Sequence, residues 1–122
     1  MIVYLNKDWD ESYGGHLELW SGHHDGKKHQ LTKKESGILP IFNRVVVFST
    51  SEHSYHGHPT PLQCPSDRSR KSLALYYYTN GRDDVQADAH STTFIARPED
   101  CDNAELDALR EKRNQGRLAT NI

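Results

Sequence analysis

What this 122-residue sequence lacks narrows it first. It has two cysteines, Cys64 and Cys101, with no Cys-x-x-Cys motif. That excludes a disulfide-dense secreted scaffold and a cysteine-framed zinc site. It predicts free thiols in a reducing cytosol, a single disulfide being the alternative. Basic residues are not in excess: 15 Lys and Arg face 17 Asp and Glu, for a net charge of -2. The pI is about 6.4, so the usual electrostatic case for nucleic acid is missing. No run approaches the roughly 18 apolar residues of a membrane span. The opening "MIVYLNKDWD" has no basic region before its apolar residues, so no signal peptide is expected, and the expected location is cytoplasmic with no membrane contact. Hydrophobic residues are only 34% of the chain and mean hydropathy is -0.85. That is a lean core, but the apolar runs are long enough to exclude a wholly disordered chain. Length alone predicts one domain. Neither an internal repeat nor a low-complexity segment is present.

What is there reads mostly as strands. "IVYLN" (2–6) is a short β-rich run, and "KDWDESYGG" (7–15) carries acids, Ser and a Gly pair that mark a turn. "HLELW" (16–20) alternates, as a half-buried strand does. The polar, Gly-bounded stretch 21–37 reads as a loop. Within 38–50 the strand is strongest over Arg44–Ser49, with Pro40 tolerated only at its start or on an edge. Three prolines and a glycine in 51–70 predict a short strand and then a long loop. "KSLALYYYT" (71–79) is a second strong strand, turned by "NGRDD". After Pro98 come acids, then Ala104, Leu106, Ala108 and Leu109, then Arg110, Lys112 and Arg113. Acids early and bases late suit the dipole of a helix at about 99–114. The strand spacing over 1–79 is that of an antiparallel sandwich or barrel.

Three segments in order carry a resemblance: "YLNKDWDESYGGHLELW", "FNRVVVFSTSEHSYHGHP" and "RKSLALYYYT". Together they resemble the 2-oxoglutarate- and iron(II)-dependent oxygenases of the prolyl-hydroxylase type, over about residues 1–79. The resemblance implies a mainly β fold, an incomplete double-stranded β-helix (a cupin-like jelly roll) with a C-terminal helix. It implies a division into 1–79, the C-terminal portion of a dioxygenase domain, and 80–122, an extension. It implies hydroxylation of a C–H bond, on a prolyl side chain by the likeness, with 2-oxoglutarate decarboxylated to succinate. Fe(II), 2-oxoglutarate, O2 and ascorbate are the implied cofactors and co-reactants. A protein, peptide or small molecule is the implied substrate.

Such enzymes hold iron with two His and one carboxylate on one face, and seat the far carboxylate of 2-oxoglutarate on a fixed cation. Arg suits that cation because its planar fork pairs bidentately with a carboxylate. The family pattern assigns the metal ligand to the histidine before the glycine of "YHG", which is His56. His58 is the rival, since it would share a face with His56 on a strand, whereas His53 would point the other way. For the cation, alternation puts Arg70, Ser72, Ala74 and Tyr76 on one face and Lys71, Leu73, Leu75 and Tyr77 on the other. The first face is polar at its entrance and small in the middle. The family pattern also selects the Arg of Arg-x-Ser, so Arg70 is expected to bind the cosubstrate with Ser72 assisting and Arg68 left to the loop. Tyr4, on a face with Ile2 and Asn6, either reaches the same carboxylate or is a plain core tyrosine. Trp9 and the Gly14–Gly15 pair are expected to be structural, and Trp20 to be core or cleft.

The family's other two ligands form a His-x-Asp motif on a strand before the "YLN" strand, and the sequence begins two residues before Val3-Tyr4. The only literal His-x-Asp is His23-His24-Asp25, in the wrong place relative to the strands. His90 and the acidic tail do not offer the spacing either. The expectation is a truncated domain that binds Fe(II) poorly by itself. A non-catalytic jelly-roll remnant serving as a binding module is the alternative.

Overall fold

The structure, a computed structural model, describes residues 1–26, 28–51, 53–78 and 92–118, the last three without their side chains. The expected "NGRDD" turn, Thr79 and His90 lie outside the described residues. Six strands are formed: β1 (Ile2–Tyr4), β2 (Leu17–His24), β3 (His29–Ile38), β4 (Val45–Val46), β5 (Tyr55–Gly57) and β6 (Ser72–Ala74). One helix, α1, spans Ala104–Leu118, and short 3-10 turns occupy Glu11–Tyr13 and Pro98–Asp100. The strands make two three-stranded sheets, in the orders β4-β1-β6 and β3-β2-β5. The chain crosses from one sheet to the other after β1, β3, β4 and β5, while β2 and β3 are neighbours in one sheet. The fold is mainly β with a helix at its C-terminal end, as the composition of its runs predicts.

The chain divides into two compact units, Met1–Ser21 with Lys33–Tyr78, and Gly22–Thr32 with Thr79–Ile122. In the first, β1 is the centre of its sheet. It pairs antiparallel with β4, Ile2 opposite Val46, and with β6, Tyr4 opposite Ser72. The main chain extends this pairing past the strand ends, Leu5 N–H to the Lys71 carbonyl at 3.1 Å and Leu75 N–H to that of Met1 at 2.9 Å. Asn43 takes a positive φ of 62° where the chain turns into β4, a conformation Asn tolerates better than most residues. Alternation then sorts the side chains. Tyr4, Leu17 and Val46 form the buried core, flanked by Ile2, Leu19, Ile38 and Phe48. On the opposite face of β4 and β6, Val45 and Leu73 remain more than half exposed.

Three expectations need correction. Residues 21–37 are not a loop: β2 and β3 run through them as a hairpin. Asp25-Gly26 turns it, with Gly26 at φ 85° and the Asp25 carboxylate accepting the Lys28 N–H at 2.8 Å. An Asp-Gly turn is a strong hairpin signal, but here polar contacts such as Ser21 Oγ to Glu35 (2.8 Å) replace the apolar alternation that usually accompanies it. The strands expected over 44–49 and 71–79 shrink to Val45–Val46 and Ser72–Ala74, because β1, their shared partner, is only three residues long. The helix begins later than 99. Pro98–Asp100 forms a 3-10 turn, and Asn103 caps α1 by accepting the Leu106 N–H at 3.1 Å.

In the second unit, residues 92–97 are fastened to α1. Phe94 N–H donates to Asn114 Oδ1 at 3.0 Å, and the Arg113 guanidinium lies over the Phe94 ring. Arg97 grips Asp100 through Nε at 2.6 Å, and Arg110 reaches the same carboxylate at 3.4 Å. At the hairpin tip the His24 and His29 rings stack in parallel, 3.9 Å apart.

Candidate functional site

The first sheet assembles an anion-seeking cluster on its inward face. Tyr4 and Ser72 are directly opposite in the β1–β6 ladder, so their side chains share a face. Two residues earlier, Arg70 reaches back over the same face. Its terminal NH2 donates to the Tyr4 hydroxyl at 3.2 Å, and its Nε donates to the Gly15 carbonyl at 2.8 Å. The guanidinium also lies 5.1 Å from the centre of the Tyr4 ring. Tyr4 is fully buried, and burial pushes its phenol above its ordinary range, with the Arg70 charge opposing that shift. A phenol held neutral accepts from Arg70 and keeps its own proton to donate.

Asn6 sets the register of this corner. Its amide donates to the Pro40 carbonyl at 2.7 Å and accepts the Lys71 N–H at 2.6 Å. The buried Asn6 thus ties the residue after Arg70 to β1. Arg68 faces elsewhere. It donates to the carbonyls of Lys7 (3.2 Å) and Asp8 (2.9 Å) and lies over the Tyr13 ring, clamping the 61–70 loop onto the turn after β1. Five guanidinium N–H donors are available to any Arg. Arg70 uses two in the bonds above, and among the described residues no carboxylate pairs with it. A partly buried cation without a counter-charge is costly unless an anion arrives.

His56 stands on β5, opposite Leu19 of β2, and shares a face with it. Its ring packs against Phe48, 4.6 Å between centres, yet the residue remains exposed. Nδ1 lies 3.1 Å from the Ser54 carbonyl. His58 lies beyond the end of β5. Its imidazole is held below the ordinary range, first by desolvation and then by the Arg70 charge. His53 sits in an exposed turn at Ser51–Ser54.

Among the described residues, no group of three His, Cys, Asp or Glu side chains is placed to hold a metal ion. His56 is a single donor and does not by itself fit an iron centre. His24 and Asp25 have local roles at the hairpin tip, in the ring stack and the turn. The structure thus brings Arg70, Tyr4 and Ser72 together and leaves His56 on the other sheet, sharing no hydrogen bond with them. Gly15, Asn6 and Phe48 support the cluster without having been assigned to it from sequence. Asn6 was findable, since it shares a face with Tyr4 on "IVYLN". A carbonyl acceptor such as that of Gly15 leaves no trace in side-chain identity. Trp9 anchors the turn by donating to the Gly14 carbonyl at 3.0 Å. Trp20 is partly buried and donates to Glu18, which pairs with Lys34 at 2.8 Å.

Residues 1–78 match the family described as the 2OG-Fe(II) oxygenase superfamily. A curated relative, prolyl 3-hydroxylase OGFOD1 of Mus musculus, is 30% identical over 77 residues, which cover 63% of this chain and 13% of that protein. The chain therefore aligns with a small part of that relative's length. No solved structure matches it.

Proposed function

This chain belongs to the 2OG-Fe(II) oxygenase superfamily, and on that premise we propose that residues 1–79 form the cosubstrate-binding end of a 2-oxoglutarate-dependent dioxygenase, with 80–122 as an extension. One observation carries the reading: a half-buried Arg70, pinned by the Gly15 carbonyl and the buried Tyr4 hydroxyl, has no carboxylate partner among the described residues. Its remaining N–H donors, the Tyr4 O–H and the Ser72 hydroxyl on the same face suit the far carboxylate of 2-oxoglutarate. The two sheets are read as part of a double-stranded β-helix, which the crossing of the chain between them after β1, β3, β4 and β5 supports.

In the overall reaction 2-oxoglutarate, O2 and a C–H substrate give succinate, CO2 and an alcohol. One oxygen atom enters the new hydroxyl and the other the succinate carboxylate. Fe(II), when bound, would supply the oxygen activation, and His56 is the one residue of this chain that the reading assigns to it. The work of this chain's own side chains is to neutralise and orient the cosubstrate's distal end. A prolyl side chain is the proposed substrate, supported by the likeness to the mouse prolyl 3-hydroxylase alone. Ascorbate is carried over as a family-type reductant. The free thiols Cys64 and Cys101 support a reducing, cytoplasmic setting.

The test is an NMR titration of the chain with 2-oxoglutarate and, separately, with 2-oxobutyrate, which lacks the far carboxylate. The Arg70 Nε–H, Tyr4 ring and Ser72 signals should move with the first and hardly with the second. Equal responses to both, or responses confined to other residues, would defeat the reading.

A further inference from the structure

Gly14 and Gly15 both adopt positive φ, 68° and 74°, but they do different things. Gly14 belongs to the turn. Its N–H donates to the Glu11 carbonyl at 3.0 Å, its carbonyl accepts from Trp9, and an added Cβ would meet only the Pro61 carbonyl at 3.8 Å. Gly15 lies under Arg70. An added Cβ there would sit 3.0 Å from Arg70 Cδ, 3.4 Å from Arg70 Nε and 2.8 Å from Leu62 Cδ2. The arginine side chain crosses directly over the bare Cα while its Nε is held by the carbonyl of the same residue at 2.8 Å.

We propose that Gly15 is a positioning residue for the cosubstrate cation: its missing side chain opens the lane that Arg70 follows, and its carbonyl fixes which edge of the guanidinium stays free. This deepens the proposed function and rests on it for the identity of the anion. The physical requirement is double. Any β-carbon at 15 displaces the Arg70 stem, and losing the Nε bond lets the fork rotate about its long, flexible side chain. Tyr4 alone then holds one terminal nitrogen, which does not fix the plane of the fork. A bidentate carboxylate pair depends on that plane.

The experiment reads the Arg70 Nε–H directly by NMR in the full chain. Arg70→Lys identifies the signal by deleting it. In the unaltered protein a scalar coupling should connect this proton's nitrogen to the Gly15 carbonyl carbon, and its absence would overturn the proposal with no substitution needed. Gly14→Ala also places a β-carbon on a positive-φ backbone but away from Arg70, so it should leave the signal in place. Gly15→Ala should shift it and speed its exchange with water by roughly tenfold, the loss of one hydrogen bond's protection. Gly15→Ala combined with Leu62→Ala relieves the Leu62 contact and should still show the shift. An unchanged signal in that double variant, or an equal loss in Gly14→Ala, would overturn the role of Gly15. The underlying cosubstrate reading fails separately, if 2-oxoglutarate binds Arg70→Ala as well as it binds the unaltered chain.

Discussion

Tyr4 shows how one residue serves the core and the cluster at once. It is the largest fully buried side chain, and its hydroxyl is the fixed point on which Arg70 rests. From sequence the two roles were alternatives, but burial and hydrogen bonding are compatible because the phenol is apolar along its ring and polar only at its tip. The consequence is a pH dependence with a definite sign. Tyr4's pKa in the folded chain lies above its ordinary 10.0. Its contribution to stability is therefore complete below that value and is lost as pH rises through the raised one. Tyr4→Phe should be less stable near neutrality by about 1–2 kcal/mol, from the lost hydrogen bond. It should also lose less stability than the unaltered chain in alkali. Urea midpoints on both sides of pH 10 check this, and parallel curves for the two proteins would contradict it. Arg68 and Arg70 have the same parity, so only the family's Arg-x-Ser pattern separated them in the sequence, and the geometry gives them different partners. What could not be read was the acceptor role of a glycine carbonyl, since backbone groups are the same at every position.

At the scale of elements, β-rich runs identified β1 and the cores of β4 and β6, and alternation identified the start of β2. Sequence pattern failed at the hairpin of β2 and β3, which is mostly polar beyond Trp20 apart from Leu31 and Ile38, and the Asp25-Gly26 turn is the better signal. It also overran the ends of β4 and β6, whose lengths are set by the short central partner, information that no single strand contains. Helix α1 was placed by charge order, but its start is set by the Asn103 cap and not by Pro98. The two faces of β4 make a sharp test. Val46 is buried in the core whereas Val45 is about half exposed. Val46→Ala should cost about 2 kcal/mol through lost burial and the cavity left behind. Val45→Ala should stay within about 0.5 kcal/mol of the original. Chemical denaturation of both variants checks the register of β4 on β1, and a reversed order of effects would place the strand one residue out.

For the whole molecule, the proposed reading gives this chain a seat for a dicarboxylate, while among the described residues no group of three side chains is placed to hold a metal ion. The described residues gather a cation, a phenol and a hydroxyl on one face, but only one imidazole that suits iron. Calorimetry with Fe(II) or Mn(II) under argon should accordingly show no tight stoichiometric site for this chain alone. Micromolar binding lost in His23→Ala or Asp25→Ala would instead show that the hairpin tip holds metal. The claim on which the account depends most is that Arg70 receives the far carboxylate of 2-oxoglutarate. The dissociation constant for 2-oxoglutarate, measured for the unaltered chain and for Arg70→Ala, Arg70→Lys and Arg68→Ala, tests it most directly. Arg70→Ala should weaken binding at least roughly tenfold, about 1.4 kcal/mol, the low end for a charge-assisted pair. Arg70→Lys should recover only part, because a point charge lacks the fork, and Arg68→Ala should bind nearly as tightly as the original. Weakening in Arg68→Ala and not in Arg70→Ala, or in neither, would contradict the account.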